Sequence, residues 1–219
     1  MIFGPDVQAV IFDMDGVLWH SNRAHEEAYK LVFAEAGIET AFDYECAAGR
    51  RTADVMHDIL DQDQQPVDSD TVKALAAAKQ SAARAILQSE LPLADGCQET
   101  LARLAQTKTL ALASSASAAS VALFLSHSRT APLFKVVIDG DTVSAGKPLP
   151  MIYDLALQRL DIRAEAAAVV EDAPSGVRAA RGAGIGLVVG IEGTVKATEL
   201  EAAGANTVVG CLRDLTTTC

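Results

Sequence analysis

The chain has 219 residues, of which 50% are hydrophobic and 21% are charged. This composition is typical of a folded globular protein, and the length suits one core domain with an insert or a single large domain. The formal net charge of −11 argues against nucleic-acid binding, which normally needs a basic face.

Short apolar runs recur along the chain and predict the strands of a buried parallel sheet. The runs are Val7–Phe12, Thr109–Ala113, Lys135–Ile138, Ala167–Val170, Gly186–Val189 and a weaker one at Thr207–Val209. Helical patterns separate the later runs, at Gln98–Gln106, Ser117–Ser126, Met151–Leu160, Pro174–Ala183 and Val195–Ala203. This alternation predicts an α/β fold, a Rossmann-like parallel sheet core flanked by helices.

One segment interrupts the alternation of strands and helices. From about His20 to Leu91 we find no convincing strand, and Asn22–Ala36, Thr52–Leu60 and Thr71–Ser89 have helical patterns. We therefore predict an inserted all-helical domain of residues 20–91. Residues 1–19 and 92–219 would form the core domain, with hinges near Trp19 and Pro92.

Several features bear on where the protein works. The four cysteines include no C-x-x-C pair, which favours reduced thiols. The N-terminus has no secretory pattern, and no apolar stretch approaches the roughly 20 residues that span a bilayer. We expect a cytoplasmic protein, a monomer or weak dimer, with no membrane and no nucleic acid among its partners.

Polar residues follow the predicted strands at the points where the strands end. Ligands of open parallel sheets bind at this edge, so we expect these side chains to meet there. They are Asp13 and Asp15 after the first strand, Ser114 and Ser115 after the second, Lys147 past a loop after the third, and Glu171 and Asp172 after the fourth.

Each of these short motifs alone has a simpler explanation, as a turn or a helix cap. Together they favour a site, because clustered carboxylates repel each other unless a cation is present. Hard oxygen ligands suit Mg²⁺, a carboxylate can attack phosphorus, and a neighbouring acid can transfer protons. A lysine and a hydroxyl can hold phosphoryl oxygens. The sequence thus predicts phosphate chemistry.

Four sequence motifs resemble those of the haloacid dehalogenase-like hydrolases, in the same order. The first is V-I-F-D-M-D-G-V-L (Val10–Leu18) and the second is A-L-A-S-S (Ala111–Ser115). The third is G-K-P-L-P (Gly146–Pro150), and the fourth is V-V-E-D-A-P-S-G-V-R-A-A-R-G-A-G (Val169–Gly184). The resemblance covers essentially the whole chain. It is closest to the branch that contains β-phosphoglucomutase and the sugar- or polyol-phosphate phosphatases.

The resemblance implies a role for each acid of the predicted site. Asp13 would be the nucleophile that becomes a phosphoaspartate, and also a ligand of Mg²⁺. Asp15 would be the general acid and base, and its main-chain carbonyl would bind Mg²⁺. Asp172 would bind Mg²⁺ directly, whereas Glu171 would be either a ligand or an acid just outside the ligand shell.

The resemblance also implies the activity. Ser114 would hold the transferring phosphoryl group, and Lys147 would pair with the nucleophile and the phosphate. We expect a phosphatase acting on a small phosphorylated molecule, with a sugar phosphomutase as the alternative and a non-catalytic relative as a remoter one. Asp15 argues against dehalogenation, because the dehalogenases of the family lack this second acid.

Two polar residues lie on apolar helix faces of the insert. Lys79 shares a face with Ala76 and Ala83, and His25 shares one with Ala28. They would either contact the substrate or be satisfied buried groups. Both match polar residues of the helical cap domain of β-phosphoglucomutase, which favours substrate contact.

Other substrate contacts are less constrained by the sequence. We include Ser115, which follows the second strand. Arg50 and Arg51 come under consideration because Thr52 stands where the mutase has an arginine for a distal phosphate. Trp19 would either stack on a sugar face or fill the hinge.

Overall fold

In this computed structural model, residues 2–61, 67–90 and 92–216 are described. Within them, one sheet contains six strands: β1 (Ala9–Phe12), β2 (Thr109–Ala113), β3 (Phe134–Ile138), β4 (Ala167–Glu171), β5 (Leu187–Ile191) and β6 (Thr207–Val209). Their order is β3-β2-β1-β4-β5-β6, and every neighbouring pair is parallel. The predicted α/β fold with a parallel, Rossmann-like sheet is confirmed.

The helices follow the predicted pattern, with one addition. They are α1 (Asn22–Ala36), α2 (Tyr44–Ala47), α3 (Thr52–Asp61), α4 (Ser69–Glu90), α5 (Cys97–Leu104), α6 (Ala118–Ser128), α7 (Met151–Leu160), α8 (Pro174–Gly182) and α9 (Ala197–Ala203). Helix α2 was not predicted, because four residues are too few to show a helical period. Its start is fixed locally, since the Asp43 carboxylate accepts a hydrogen bond from the Glu45 amide at 3.0 Å.

The two faces of the sheet explain why its central strands are apolar runs without alternation. Every residue of β1 and β4 is buried. Phe12 belongs to a buried cluster on one face with Leu101 and Phe124, and Ile11 belongs to a cluster on the other face with Ile152. Helices cover both faces, so inward- and outward-facing positions are equally apolar.

Helices α1 to α4 lie between β1 and β2 in the chain, form a helical layer and share an apolar cluster of their own. Tyr29, Phe33 and Phe42 pack ring against ring, with centroids 4.7–5.7 Å apart. The chain enters and leaves this layer at adjacent points, since Trp19 bridges to Leu93. We call this helical layer the cap.

The cysteines and the apolar character of the helices bear on the sequence expectations about thiols and membrane spans. Cys46, Cys97 and Cys211 are free thiols, and Cys219 lies outside the described residues. None of the helices in the described ranges has the length and apolar character needed to cross a bilayer.

Candidate active site

Three carboxylates converge where β1 and β4 end, next to each other in the middle of the sheet. Asp13 follows β1, Glu171 is the last residue of β4, and Asp172 follows it. One oxygen of each lies within 4.8 Å of the others, and all three residues are buried. The strand order reverses at β1, and this is the place where open α/β sheets bind their ligands.

Lys147 ties two of these acids together. Its ammonium lies 2.5 Å from Asp13 Oδ1 and 2.6 Å from Glu171 Oε1, and its side chain is fully buried. Glu171 Oε1 also accepts a hydrogen bond from the Tyr153 hydroxyl, while Glu171 Oε2 accepts one from the Asp172 amide at 3.3 Å. These contacts fit the alternative in which Glu171 orients Lys147 and Asp172 from outside the ligand shell.

The charges of this cluster do not balance. Burial raises the pKa of Asp13 well above its ordinary value; Lys147 opposes this, while Glu171 and Asp172 add to it. Burial alone would lower the pKa of Lys147, but Asp13 and Glu171 raise it well above its ordinary value. The Lys147 ammonium thus pairs with two of the three buried carboxylates, and a divalent cation would offset the excess negative charge.

Asp172 provides a second reason to place a cation here. Its Oδ1 is buried and has no hydrogen-bond partner, and burial raises the pKa of this carboxyl to about 7. Gly16 leaves the necessary room, since a Cβ there would lie 1.8 Å from Asp172 Oδ2. Hard carboxylate oxygens with a free lone pair are suitable ligands for Mg²⁺.

The second acid of the first motif has a different environment. Asp15 Oδ1 accepts hydrogen bonds from Ser21 Oγ at 2.5 Å and His25 Nε2 at 3.0 Å. Burial acts to raise the pKa of Asp15, but His25, Ser21 and Lys79 outweigh it and hold that pKa below its ordinary value. These contacts favour the carboxylate form of Asp15 in the substrate-free protein.

Lys79 continues this chain of contacts into the cap. Its Nζ lies 2.9 Å from His25 Nδ1 and 4.2 Å from the centre of the Tyr29 ring. Because Nδ1 accepts a hydrogen bond from the Lys79 amine, Nε2 carries the ring proton and donates a hydrogen bond to Asp15. Burial, the largest cause, lowers the pKa of His25, and it lowers the pKa of Lys79 to about 7.

The hydroxyls after β2 lie at the same edge. Ser114 is buried, and its Oγ accepts a hydrogen bond from the Ala116 amide at 3.1 Å. Ser115 Oγ donates to the Gly49 carbonyl of the cap at 2.7 Å. Ser115 therefore borders both the acids and the cap.

A cleft between the cap and the sheet edge is bordered by several of the predicted site residues. Asp13, Asp15, His25, Lys79 and Ser115 border it. Its remaining polar walls come from Tyr29, Tyr44, Arg50, Thr52, Gln80, Ser117 and Ser120. Hydroxyl and amide groups make up most of these remaining polar walls.

Three predicted substrate contacts have other surroundings. Trp19 is fully buried in the core with its ring 5.6 Å from Phe124, so it fills the hinge and does not reach the cleft. Arg51 pairs with Asp54 at 2.7 Å and donates to the Val143 carbonyl at 2.8 Å, turned towards a core loop. Arg50 borders the cleft but pairs with Asp58 at 2.6 Å.

Sequence reasoning missed Tyr153, Ser21 and Thr194. Tyr153 lies in α7 on its buried face, and Ser21 precedes α1 as an ordinary capping residue would. Thr194 follows β5 and donates a hydrogen bond to Asp172 Oδ2. Only for Thr194 was a signal present, since it lies beyond the carboxyl end of a strand, like the residues that were identified.

Comparison with known proteins agrees with this geometry. A model of the haloacid dehalogenase-like hydrolases matches residues 7–184, and the chain belongs to this family. The predicted hydrolase class is confirmed, and a phosphatase within that family is supported by curated relatives.

Two relatives illustrate the branch. The chain is 34% identical over 190 residues to a phosphorylated carbohydrates phosphatase of Thermotoga maritima, with 84% of this chain and 85% of the relative covered. It is 30% identical over 240 residues to β-phosphoglucomutase of Mycobacterium bovis, with 95% and 91% covered.

A solved structure extends the similarity to the tertiary level. CbbY from Rhodobacter sphaeroides in complex with phosphate has a TM-score of 0.78 and 26% identity, covering 96% of each chain. The predicted branch of the family is thus confirmed, and both a phosphatase and a mutase are among the relatives.

Proposed function

We propose that this chain is a Mg²⁺-dependent phosphatase that hydrolyses a small phosphate monoester, a sugar or polyol phosphate, through a phosphoaspartate on Asp13. The observation that carries the proposal is the buried cluster of Asp13, Glu171 and Asp172, in which Lys147 pairs with Asp13 and Glu171. The phosphatases among the relatives support the same reaction class.

In the first step, an Asp13 oxygen attacks phosphorus and the bond between phosphorus and the ester oxygen breaks. Lys147 holds Asp13 Oδ1 and places its positive charge beside the phosphoryl oxygens, and Ser114 adds a hydroxyl. Mg²⁺ held by Asp13, Asp172 and the Asp15 carbonyl would supply positive charge to the developing phosphoryl oxygens.

Asp15 acts as general acid in the first step and as general base in the second. The negative charge of a bound phosphate ester would raise the pKa of Asp15. The protonated form then gives a proton to the departing alkoxide, and the resulting carboxylate accepts one from the water that hydrolyses the phosphoaspartate. His25 and Ser21 are hydrogen-bonded to Asp15 Oδ1 and fix its orientation. Because His25 belongs to the cap, Asp15 is positioned fully only when the cap is closed.

The cap, which we assign to residues 20–91, would close over the substrate and exclude water. Substrate hydroxyls would meet the polar groups of Gln80, Ser117 and Ser120 in the cleft. Lys79 and His25 already bond to each other, and Arg50 bonds to Asp58. A neutral polyol therefore suits this wall better than a second phosphate.

The test is a phosphate-release screen against phosphorylated sugars and polyols, nucleotides and phosphoglycolate. We expect activity on sugar or polyol phosphates with Mg²⁺, loss of activity in chelator, and inhibition by excess Ca²⁺, which favours higher coordination. The Asp13→Asn protein is the matched inactive control. Full activity in chelator would contradict the metal assignment, and activity confined to nucleotides would contradict the substrate class.

A further inference from the structure

A chain of hydrogen bonds connects the cap to Asp172. The Tyr44 hydroxyl donates to Asn22 Oδ1 at 3.2 Å, and Asn22 Nδ2 lies 2.5 Å from Thr194 Oγ1. The Thr194 hydroxyl in turn donates to Asp172 Oδ2. Three side chains from separate elements thus end on one carboxylate.

The direction of these bonds is fixed by chemistry. In the ionised form that would bind a cation, the Asp172 carboxylate only accepts, so the single hydroxyl proton of Thr194 is committed to Asp172. Thr194 must then accept from Asn22, which presents its amide nitrogen to Thr194 and its oxygen to Tyr44. Every donor points towards Asp172, and reversing any one bond would leave a polar group unsatisfied.

The position of the chain relates it to the candidate metal site. Thr194 lies in the loop after β5, whereas Asn22 and Tyr44 are the first residues of α1 and α2 in the cap. Because Thr194 occupies Asp172 Oδ2, Oδ1 is the oxygen that remains without a partner. The hydrogen bond therefore fixes which oxygen is presented to a cation.

We propose that Thr194, Asn22 and Tyr44 are positioning residues that orient Asp172 for its cation and make cation affinity depend on the placement of the cap. The proposal rests on the proposed Mg²⁺ site. Groups that orient metal ligands through such hydrogen bonds typically change metal affinity by about 10–100-fold when they are removed. The effect should decrease along the chain from Thr194 through Asn22 to Tyr44.

The experiment is calorimetric titration of Mg²⁺ into the full-length protein at constant ionic strength. We expect Thr194→Val to weaken binding by about 10–100-fold, with smaller losses for Asn22→Ala and then Tyr44→Phe. Thr194→Ser keeps the hydroxyl and should restore most of the affinity. Thr198→Val is the matched control, because Thr198 is exposed on α9 four residues away.

The outcomes separate the two proposals. If the wild-type protein binds no Mg²⁺, the metal assignment of the proposed function fails, and this inference fails with it. If the wild type binds but Thr194→Val binds equally well, only the positioning role is overturned. A Thr194→Val protein that is less stable to heat than the wild type but binds Mg²⁺ with the same affinity would likewise overturn the positioning role. Should Thr194→Val not fold, unchanged affinity in Asn22→Ala decides against the inference.

Discussion

At the scale of single residues, Asp13 and Asp15 are two positions apart but have opposite surroundings. Asp13 is buried with Glu171 and Asp172, and burial and these acids raise its pKa. Asp15 faces His25 and Ser21, whose hydrogen bonds help to lower its pKa. Paired acids with separated environments are typical of sites that divide two chemical roles between them.

The two acids should therefore fail differently when each is changed to asparagine. Asp13→Asn should abolish turnover and leave no covalent phosphoenzyme. Asp15→Asn keeps its main-chain carbonyl and should lose roughly 10²–10⁴-fold in rate, the usual contribution of proton transfer. With p-nitrophenyl phosphate, whose leaving group needs little protonation, phosphate should accumulate on Asp13 in the Asp15→Asn protein.

Mass spectrometry of the quenched Asp15→Asn protein identifies the peptide that carries the covalently bound phosphate. Phosphate on any other peptide would refute the assignment, as would an Asp13→Asn protein that turns over at the wild-type rate.

Lys79 makes a prediction about stability. Burial lowers its pKa to about 7, whereas the ordinary value is 10.5. Between these values the unfolded chain binds a proton that the folded protein does not. The free energy of unfolding should therefore rise with pH by about 1.4 kcal/mol per unit from this group, and this gain is lost as pH falls towards 7.

Urea denaturation at several pH values between 7.5 and 9 measures this slope. Lys79→Met should flatten it relative to the wild type. Lys73→Met on the same helix is the control, because the Lys73 side chain is 73% exposed. Equal slopes in all three proteins would show that Lys79 keeps its proton on folding.

At the scale of elements, the segment between α2 and α3 in the cap is hydrogen-bonded to the core. Ser115 Oγ donates to the Gly49 carbonyl at 2.7 Å, and Ser175 Oγ donates to the Ala48 carbonyl at 2.8 Å. Gly49 has φ of +73°, and a Cβ there would lie 2.5 Å from Ser175 Oγ. The close approach of cap and core thus requires glycine at this position.

Gly49→Ala should consequently impair closure of the cap. Gly37→Ala is a matched control, since Gly37 has φ of +67° with nothing within 4 Å of a new Cβ. Both changes strain a left-handed residue by roughly 1–2 kcal/mol, but only Gly49→Ala pushes against the core. We expect kcat/KM to fall by about tenfold or more for Gly49→Ala, since small displacements of catalytic groups are costly.

Steady-state kinetics on the best substrate of the screen, with stability followed by thermal unfolding, make the comparison. The closure argument would be wrong if the two variants lost activity in the same proportion as they lost stability.

At the scale of the whole molecule, the relatives include both phosphatases and a phosphomutase. A mutase must return its phosphoryl group to a bound sugar before water reaches the phosphoaspartate, which requires a firm hold on a second phosphate. Here the basic side chains Arg50 and Lys79 border the cleft and have partners in Asp58 and His25. Thr52 offers no charge.

Hydrolysis should therefore prevail over phosphoryl return. We expect β-glucose 1-phosphate, if it is turned over, to release inorganic phosphate, and a sugar bisphosphate not to activate the enzyme. Phosphate assay beside chromatographic detection of glucose 6-phosphate distinguishes the products. Rapid interconversion of the two sugar phosphates with little free phosphate would favour the mutase.

Much of this architecture follows from local patterns in the sequence. The apolar runs that became β1 and β4 are each followed by acids, and parallel strands bring their carboxyl ends to one edge. The meeting of Asp13 with Asp172 therefore required only the right topology. The helical period likewise revealed α1, α3 and α4, whereas α2 was too short to show one.

The tertiary structure decided what lies beside each of those residues. Trp19 follows the first motif directly, yet it packs on Phe124 in the core. Arg51 turns towards Val143, which is 92 positions away. Thr194 meets Asn22 across 172 positions. Periodicity along the chain reports which face of an element is buried, but not which distant side chain it meets, because such contacts depend on how whole elements pack.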